Sequence, residues 1–378
     1  MKENIKTVEQ LMKVFLTIIR WIVGLLFIFS GLIKANDPLG LSYKMLEFFE
    51  AWGFHFLDNY TLPFSLVMNV CEVLAGVAVI IGWRIKIVSW FLLLLIIFFI
   101  FLTSYVVFSG KIKECGCFGD CIPLSGINTL LKDLALLLLI LFIFFNAKKI
   151  TSFLSKQISI TILLLTVIAI SAAQFYVLKH LPFLDCLPYK KGNNLLNEMK
   201  APPGAVSDSF AITFKYKKNN QVFEFDQNHF PNDFDSTYVY VDRFDKLIRK
   251  GNAVPAIPDF SLRTVAGNDT TSFILNQNKK YILLFVKDFM NLNEWKNDLD
   301  KLVVTASTKN IPVYLISADA ENAIRLFNNI PVLKCDATVI KTAARVNPTY
   351  FLMNQDRILY KLSYTDIELL KQEIANTK

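Results

Sequence analysis

The chain has 378 residues, 53% of them hydrophobic, and a formal net charge of +8. That apolar fraction excludes a single soluble domain of ordinary make-up. Lysines flanking the apolar runs account for much of the positive balance, which argues against nucleic acid as a partner and for a lipid bilayer.

In chain order, five stretches reach the ~17 to 25 apolar residues that a helix needs to cross a bilayer: 14–33, 62–82, 87–108, 129–145 and 158–178. The first runs through FIFSGLIKANDP into a polar loop without a small-residue cleavage site, so it reads as a retained span. Lys2, Lys6 and Lys13, then Arg84 and Lys86, then Lys148, Lys149 and Lys156 fall on one side of the crossings. The bias of basic residues makes that side cytoplasmic. An inner-membrane protein follows, with a cytoplasmic N-terminus and with both the third connecting loop and the C-terminal domain in the oxidising periplasm.

Two charges sit inside apolar spans, Arg20 in the first and Glu72 in the second. Antiparallel packing predicts an ion pair between them, with a proton- or quinone-linked role for Glu72 as the alternative. Cys71 reads as a small buried hydrophobe, and Lys132 and Asp133 as side chains reaching the interface. Between the first two spans, Pro38 and Gly40 break the chain. Residues 42–52 then read as an amphipathic surface helix carrying Leu46, Phe49 and Trp52.

The loop between the third and fourth spans reads CGCFGDC and holds Cys115, Cys117 and Cys121. Gly116 and Gly119 let the backbone turn sharply enough for sulfurs to meet. Cys186, in KHLPFLDCLPYKKGNN, emerges close to the same surface after the last span. Four cysteines allow three complete pairings, and the sequence leaves the choice open. Structural disulfides are one reading. Exchangeable thiols are the other, because three cysteines in one loop leave an odd sulfur to attack or be attacked. Lys111 and Lys113 favour a thiolate, whereas Glu114 and Asp120 oppose it. Zinc normally takes four Cys or His ligands; the loop has no His nearby, so no metal is expected.

Three of these motifs, SGLIKANDPLG after the first span, Glu72 with GVAVIIGWR beyond it, and CGCFGD, resemble the DoxX-like and MauE-like membrane proteins of bacteria. The resemblance covers the first half of the chain. It implies a small helical bundle with a thiol loop on its outer face, in which Cys115 and Cys117 occupy the family's cysteines and Gly31, Lys34, Asp37 and Pro38 its loop after the first helix. MauE-type proteins are associated with disulfide formation in a periplasmic dehydrogenase subunit and DoxX-type proteins with quinone-linked sulfur oxidation, so a quinone is compatible as a cofactor. No haem, flavin or nucleotide motif is evident.

Three regions are expected: a transmembrane helical domain over 1–180, a juxtamembrane linker with a small β-rich region over 181–252, and an α/β domain over 253–378. SFAITFKYK and QVFEFD form a hairpin about 218–220, and STYVYVD adds a strand. His229 reads as a surface residue. Beyond Pro255, strands at 281–286, 312–316, 331–334, 349–353 and 358–361 alternate with helices at 292–308, 320–328, 337–344 and 365–375. This order, with VPAIPDFSL and NPTYFL, resembles a thioredoxin-like fold of the TlpA or redoxin type, which implies a cis peptide bond before Pro348. At the place of that fold's Cys-x-x-Cys, FVKDFMNLNEW puts Met290 and Asn293, so dithiol exchange is excluded there. Cys335 reads as a buried, inert thiol.

The function expected is thiol–disulfide redox through Cys115, Cys117, Cys121 and Cys186, with the α/β domain binding a periplasmic partner protein. A non-enzymatic scaffold held by structural disulfides and a quinone-linked electron-transfer subunit are the alternatives.

Overall fold

A computed structural model describes residues 2–376 except 113, 114, 123, 227, 228 and 250, and leaves the side chains of residues 2–6 and 8 undescribed. The charges weighed above at Lys2, Lys6, Lys113 and Glu114 therefore lie outside the described side chains. The N-terminal half comprises α1 (Lys2–Asn36), α2 (Pro38–Trp52), α3 (Thr61–Ile81), α4 (Ile85–Ser109), α5 (Gly126–Phe145) and α6 (Lys156–Lys179). Among the described residues, five segments, Glu9–Asn36, His55–Ile81, Ile85–Ser109, Gly126–Phe145 and Lys156–Lys179, are long and apolar enough to cross a membrane. Their backbones are satisfied within each helix, as a hydrocarbon solvent demands. Large apolar side chains such as Phe29, Leu94, Leu138 and Leu165 remain exposed on their outer faces, where lipid would cover them.

Helices α1 and α3 pack closely because two glycines face each other. A Cβ on Gly76 would lie 2.6 Å from the carbonyl oxygen of Gly24, so any side chain there would force the pair apart. Asp37 separates α1 from α2 and caps the latter, its carboxylate accepting from the Gly40 amide at 3.0 Å, with Pro38 at the first helical position.

The ion pair expected between Arg20 and Glu72 does not form. Arg20 donates instead to the carbonyls of Val79 (3.0 Å) and Ile80 (2.6 Å) in the last turn of α3, where Val79 also accepts from the capping Gly82 amide at 3.2 Å. Glu72 is paired with Lys34, Nζ to Oε1 2.5 Å, and both side chains are buried. The reason is depth: α1 stays helical to Asn36, and the fourteen residues from Arg20 to Lys34 put these cations about 21 Å apart along it. Glu72 is level with the second. Asp133 is likewise buried rather than at the interface, with Lys132 Nζ 2.9 Å away and lying over the Phe118 ring.

After α6 the chain enters a sheet-containing region. Tyr189 and Leu195, the latter opening α7 (Leu195–Glu198), are buried in its core. The amides of Gly192 and Leu195 donate to the carbonyls of Ile358 and Asp356, both at 2.8 Å, so this stretch belongs to the C-terminal fold. Next come β1 (Ser209–Lys218), β2 (Gln221–Asp226) and β3 (Val239–Arg249), an antiparallel sheet in the order β2-β1-β3. Asn219 and Asn220, at φ 50 and 64, make the tight turn between the first two.

The remaining elements are α8 (Thr271–Leu275), β4 (Lys280–Val286), α9 (Leu292–Thr308), β5 (Val313–Ser317), α10 (Ala320–Leu326), β6 (Val332–Lys334), α11 (Ala337–Ala343), β7 (Thr349–Asn354), β8 (Arg357–Ser363) and α12 (Ile367–Ala375). Their sheet has the order β6-β5-β4-β7-β8, parallel from β4 to β6 and antiparallel through β7 and β8. Central β4 is apolar on both faces because both are covered. Tyr281, Leu283 and Phe285 pack towards Val339 and Ile340 of α11, and Ile282, Leu284 and Val286 towards Trp295 and Leu299 of α9 and Leu370 of α12. The Asn347–Pro348 bond is cis.

This region sits on the end of the bundle that carries the cysteine loop. Lys361 Nζ donates to Asp185 at 2.7 Å, Ser363 Oγ to the Lys179 carbonyl at 2.9 Å, and Lys287 Nζ to Tyr43 Oη at 3.2 Å.

Candidate functional site

The four cysteines near this end form two pairs. Cys121 and Cys186, both half-buried, are joined in a disulfide across 65 residues of sequence. Cys115 and Cys117 are free and buried, with their sulfurs 2.7 Å apart. The backbone makes this contact between residues i and i+2 by turning through Gly116 at φ 72, a conformation that glycine adopts at little cost. The Gly119 amide closes the turn onto the Gly116 carbonyl at 2.9 Å. The Ser30 hydroxyl lies 3.0 Å from both the Cys117 carbonyl oxygen and Glu72 Oε2, and so links the loop to the buried ion pair.

The two thiols have opposite tendencies. The hydrogen bond from Cys115 holds Cys117 below the ordinary thiol range; Lys34 and Lys132 add to this, while burial and Asp133 oppose it. Cys115 is pushed up by the same hydrogen bond and by burial. One proton shared between two sulfurs leaves Cys117 the more readily deprotonated of the pair. The cations named here come from α1 and α5. Sequence proximity could not identify them, although Lys34 lies within the SGLIKANDPLG motif.

The pairs face different spaces. Cys115, Gly116 and Cys117 border a cavity of about 440 Å³ walled by α2, α3 and α4, where Phe48, Trp52, Phe64, Met68 and Phe99 supply an apolar lining and Lys34 a cation. Cys71 is half-buried on that wall rather than enclosed in the core. The disulfide borders a separate recess of about 20 Å³ with Asn36, Asp37 and Asp185.

Arg345 locks the α/β region over the loop. Its buried guanidinium bonds Asp37 at 2.7 Å and Asp120, the neighbour of Cys121, at 2.5 Å. Burial would push this group down, but the two carboxylates outweigh it and hold it up. Lys287, beside it, is lowered to about 8, first by burial and then by Arg345 and Lys341, with Asp288 and Asp37 opposing. Its folded-state value thus lies below its unfolded value of 10.5, so between about 8 and 10.5 the unfolded chain binds more protons and stability rises with pH. Thermal unfolding across that window should show the rise, and Lys287→Met should remove a contribution on the order of 3 kcal/mol from it.

Met290 is 85% exposed and Asn293 is also exposed at the start of α9, so neither provides a thiol or a hidden site. Cys335 is buried in the sheet core, and burial pushes its thiol up to about 12. His229 is exposed, 2.7 Å from Asp226.

Comparison with known proteins bears on this geometry. Residues 12–146 match the family described as methylamine utilisation protein MauE. The MauE-like region holds the first four candidate spans and Cys115, Cys117 and Cys121, while α6, Cys186 and the α/β region lie beyond it. Residues 210–250, the small antiparallel sheet, match a family described as a domain of unknown function. The chain is also 26% identical over 155 residues to Protein TlpB of Flavobacterium psychrophilum, a stretch covering 40% of this chain and 42% of that protein. It therefore matches less than half the length of that curated relative. No solved structure matches.

Proposed function

We propose that the chain is an integral inner-membrane thiol–disulfide oxidoreductase that passes electron pairs between an outward-facing cysteine pair and a membrane-facing one. The observation that carries this is the buried Cys115/Cys117 contact at 2.7 Å, four residues from a half-exposed disulfide in the same glycine-turned loop. The Cys117 thiolate attacks the sulfur of Cys121, forming a Cys117–Cys121 bond and releasing Cys186 as a thiolate. Cys115 gives up its proton and attacks Cys117, forming the Cys115–Cys117 disulfide and releasing Cys121. The inner pair is then oxidised by two electrons and the outer pair reduced. In reverse, the same steps carry electrons inward from a partner dithiol that has reduced Cys121–Cys186.

The α/β region is read as a thioredoxin-like fold that presents this partner, a periplasmic protein, without reacting itself. The mixed sheet, the cis bond before Pro348 and the lack of cysteine at 290 and 293 support that role. The basic residues at the opposite end of the bundle support a periplasmic location for the site.

Cys115→Ser tests the relay. Without the resolving sulfur, the Cys117–Cys121 bond should accumulate and Cys186 should become alkylatable, both readable by mass spectrometry of protein extracted with thiols blocked. An unchanged Cys121–Cys186 bond with a fully alkylatable Cys117 would sink the proposal and leave a scaffold held by a structural disulfide.

A further inference from the structure

We propose that a cavity at the end of the bundle opposite the cysteine loop binds the phosphodiester head group of an anionic phospholipid, at a site independent of the thiol chemistry. Its focus is Arg20, which is 6% exposed and lines a space of about 1130 Å³ between α1, the end of α3 and residues 148–153. Nε and Nη2 donate to the carbonyls of Val79 and Ile80. Among the described residues, Nη1 has no acceptor and the guanidinium no carboxylate partner, because Glu72 is held by Lys34 at a different depth. Carbonyl oxygens occupy donors without neutralising a buried charge, so the site lacks an anion. Gly82 keeps room for the guanidinium: a Cβ there would lie 2.7 Å from Nη2.

The rest of the wall suits a phospholipid. Lys13, Lys148 and Lys149 join Arg20 on it, against the single carboxylate of Glu9, which lies 3.7 Å from Lys13 Nζ. Lys149 Nζ also donates to a neutral acceptor, Asn146 Oδ1, at 3.0 Å. The lining therefore carries an excess of positive charge, and a phosphate oxygen placed there gains charge-assisted hydrogen bonds. The bilayer is the source of that anion. Trp21 and Phe153 share the wall and are 46% and 63% exposed, which sets aromatic rings where a lipid's glycerol and first acyl carbons would lie. Lys13 stands seven residues before Arg20, about 10 Å along α1. A phosphodiester held at Arg20 thus keeps its polar end among the lysines and its acyl chains beside Trp21. Basic pockets between membrane helices recognise lipid head groups in this way.

Native mass spectrometry of the full chain, mixed with equal amounts of dioleoyl phosphatidylglycerol and dioleoyl phosphatidylcholine, should show the anionic lipid retained about tenfold more than the zwitterionic one. Arg20→Gln, which keeps an amide donor, should cut that preference to about twofold or less. Lys148→Gln/Lys149→Gln, at two exposed positions, should weaken it by about threefold and decides the matter should Arg20→Gln fail to fold. Lys156→Gln, exposed and outside the cavity, should leave it unchanged. Equal retention of the two lipids by the native chain overturns the proposal, as does an undiminished preference in either cavity variant. A loss in Lys156→Gln as large as in the lysine pair reduces the effect to general surface attraction and removes the site. Millimolar inorganic phosphate should leave the lipid bound; displacement by it would mark a site for free phosphate and overturn the lipid assignment.

Discussion

Glu72→Gln should destabilise the helical bundle by about 3–5 kcal/mol, because it leaves the ammonium of Lys34 buried without its counter-ion. Both side chains are almost wholly inaccessible, 2% and 0% exposed, so water cannot replace the missing partner. Lys34→Met should cost a similar amount by stranding the carboxylate. The double variant Lys34→Met/Glu72→Leu should recover most of the loss, since an apolar pair of similar volume removes both desolvation costs. Its chemistry should not recover. Lys34 is one of the cations that hold the Cys117 thiol down, so alkylation at neutral pH should fall by about tenfold in the double variant despite restored folding. Thermal unfolding in detergent reads the first effect and the pH dependence of iodoacetamide reaction the second. A double variant as unstable as either single one would contradict the pairing; native reactivity in it would contradict the role of Lys34.

This pair also marks what the sequence discloses and what it conceals. The five spans were legible because Leu, Ile, Phe and Val in runs of bilayer length have one favourable solvent, and the alternation of strand and helix after Pro255 was legible from periodicity. The partner of Glu72 was not. An opposite charge in a neighbouring span is easily found by eye, but depth decides the contact, and depth depends on where α1 ends. LIKANDP looks like a loop, because Asp37 and Pro38 interrupt it, yet the helix runs through Lys34 to Asn36 and brings the ammonium back inside. The cysteine pairing was concealed for a related reason. Spacing alone permits all three arrangements, and the neighbour of Cys121, Asp120, is held by Arg345, more than two hundred residues beyond the loop. The aromatic residues of α2 read as part of an amphipathic surface helix; only the packing of α2 against α3 and α4 shows that they wall a cavity ending at two thiols.

Arg345→Ala tests that seating. The side chain is 5% exposed and joins three segments, donating to Asp37 between α1 and α2, to Asp120 in the cysteine loop, and to the Lys341 carbonyl in its own region. Truncation leaves two carboxylates partly buried without their cation, a loss of about 3–5 kcal/mol. Asp37 keeps a bond from the Gly40 amide, so the larger disturbance falls on Asp120 and hence on its neighbour Cys121. The α/β region should remain tethered by the disulfide and by the Lys361–Asp185 pair, which makes the change a loosening of the loop rather than a detachment. Accordingly, the rate at which dithiothreitol reduces Cys121–Cys186 should rise by about tenfold, because access to the sulfurs governs exchange. Lysine should not substitute, since one ammonium lacks the planar fork needed to bond two carboxylates on different segments. A double-mutant cycle with Asp120→Asn should then give a coupling of about 1–3 kcal/mol. Additive effects, or native reduction kinetics in Arg345→Ala, would mean that the α/β region does not govern access to the outer cysteine pair.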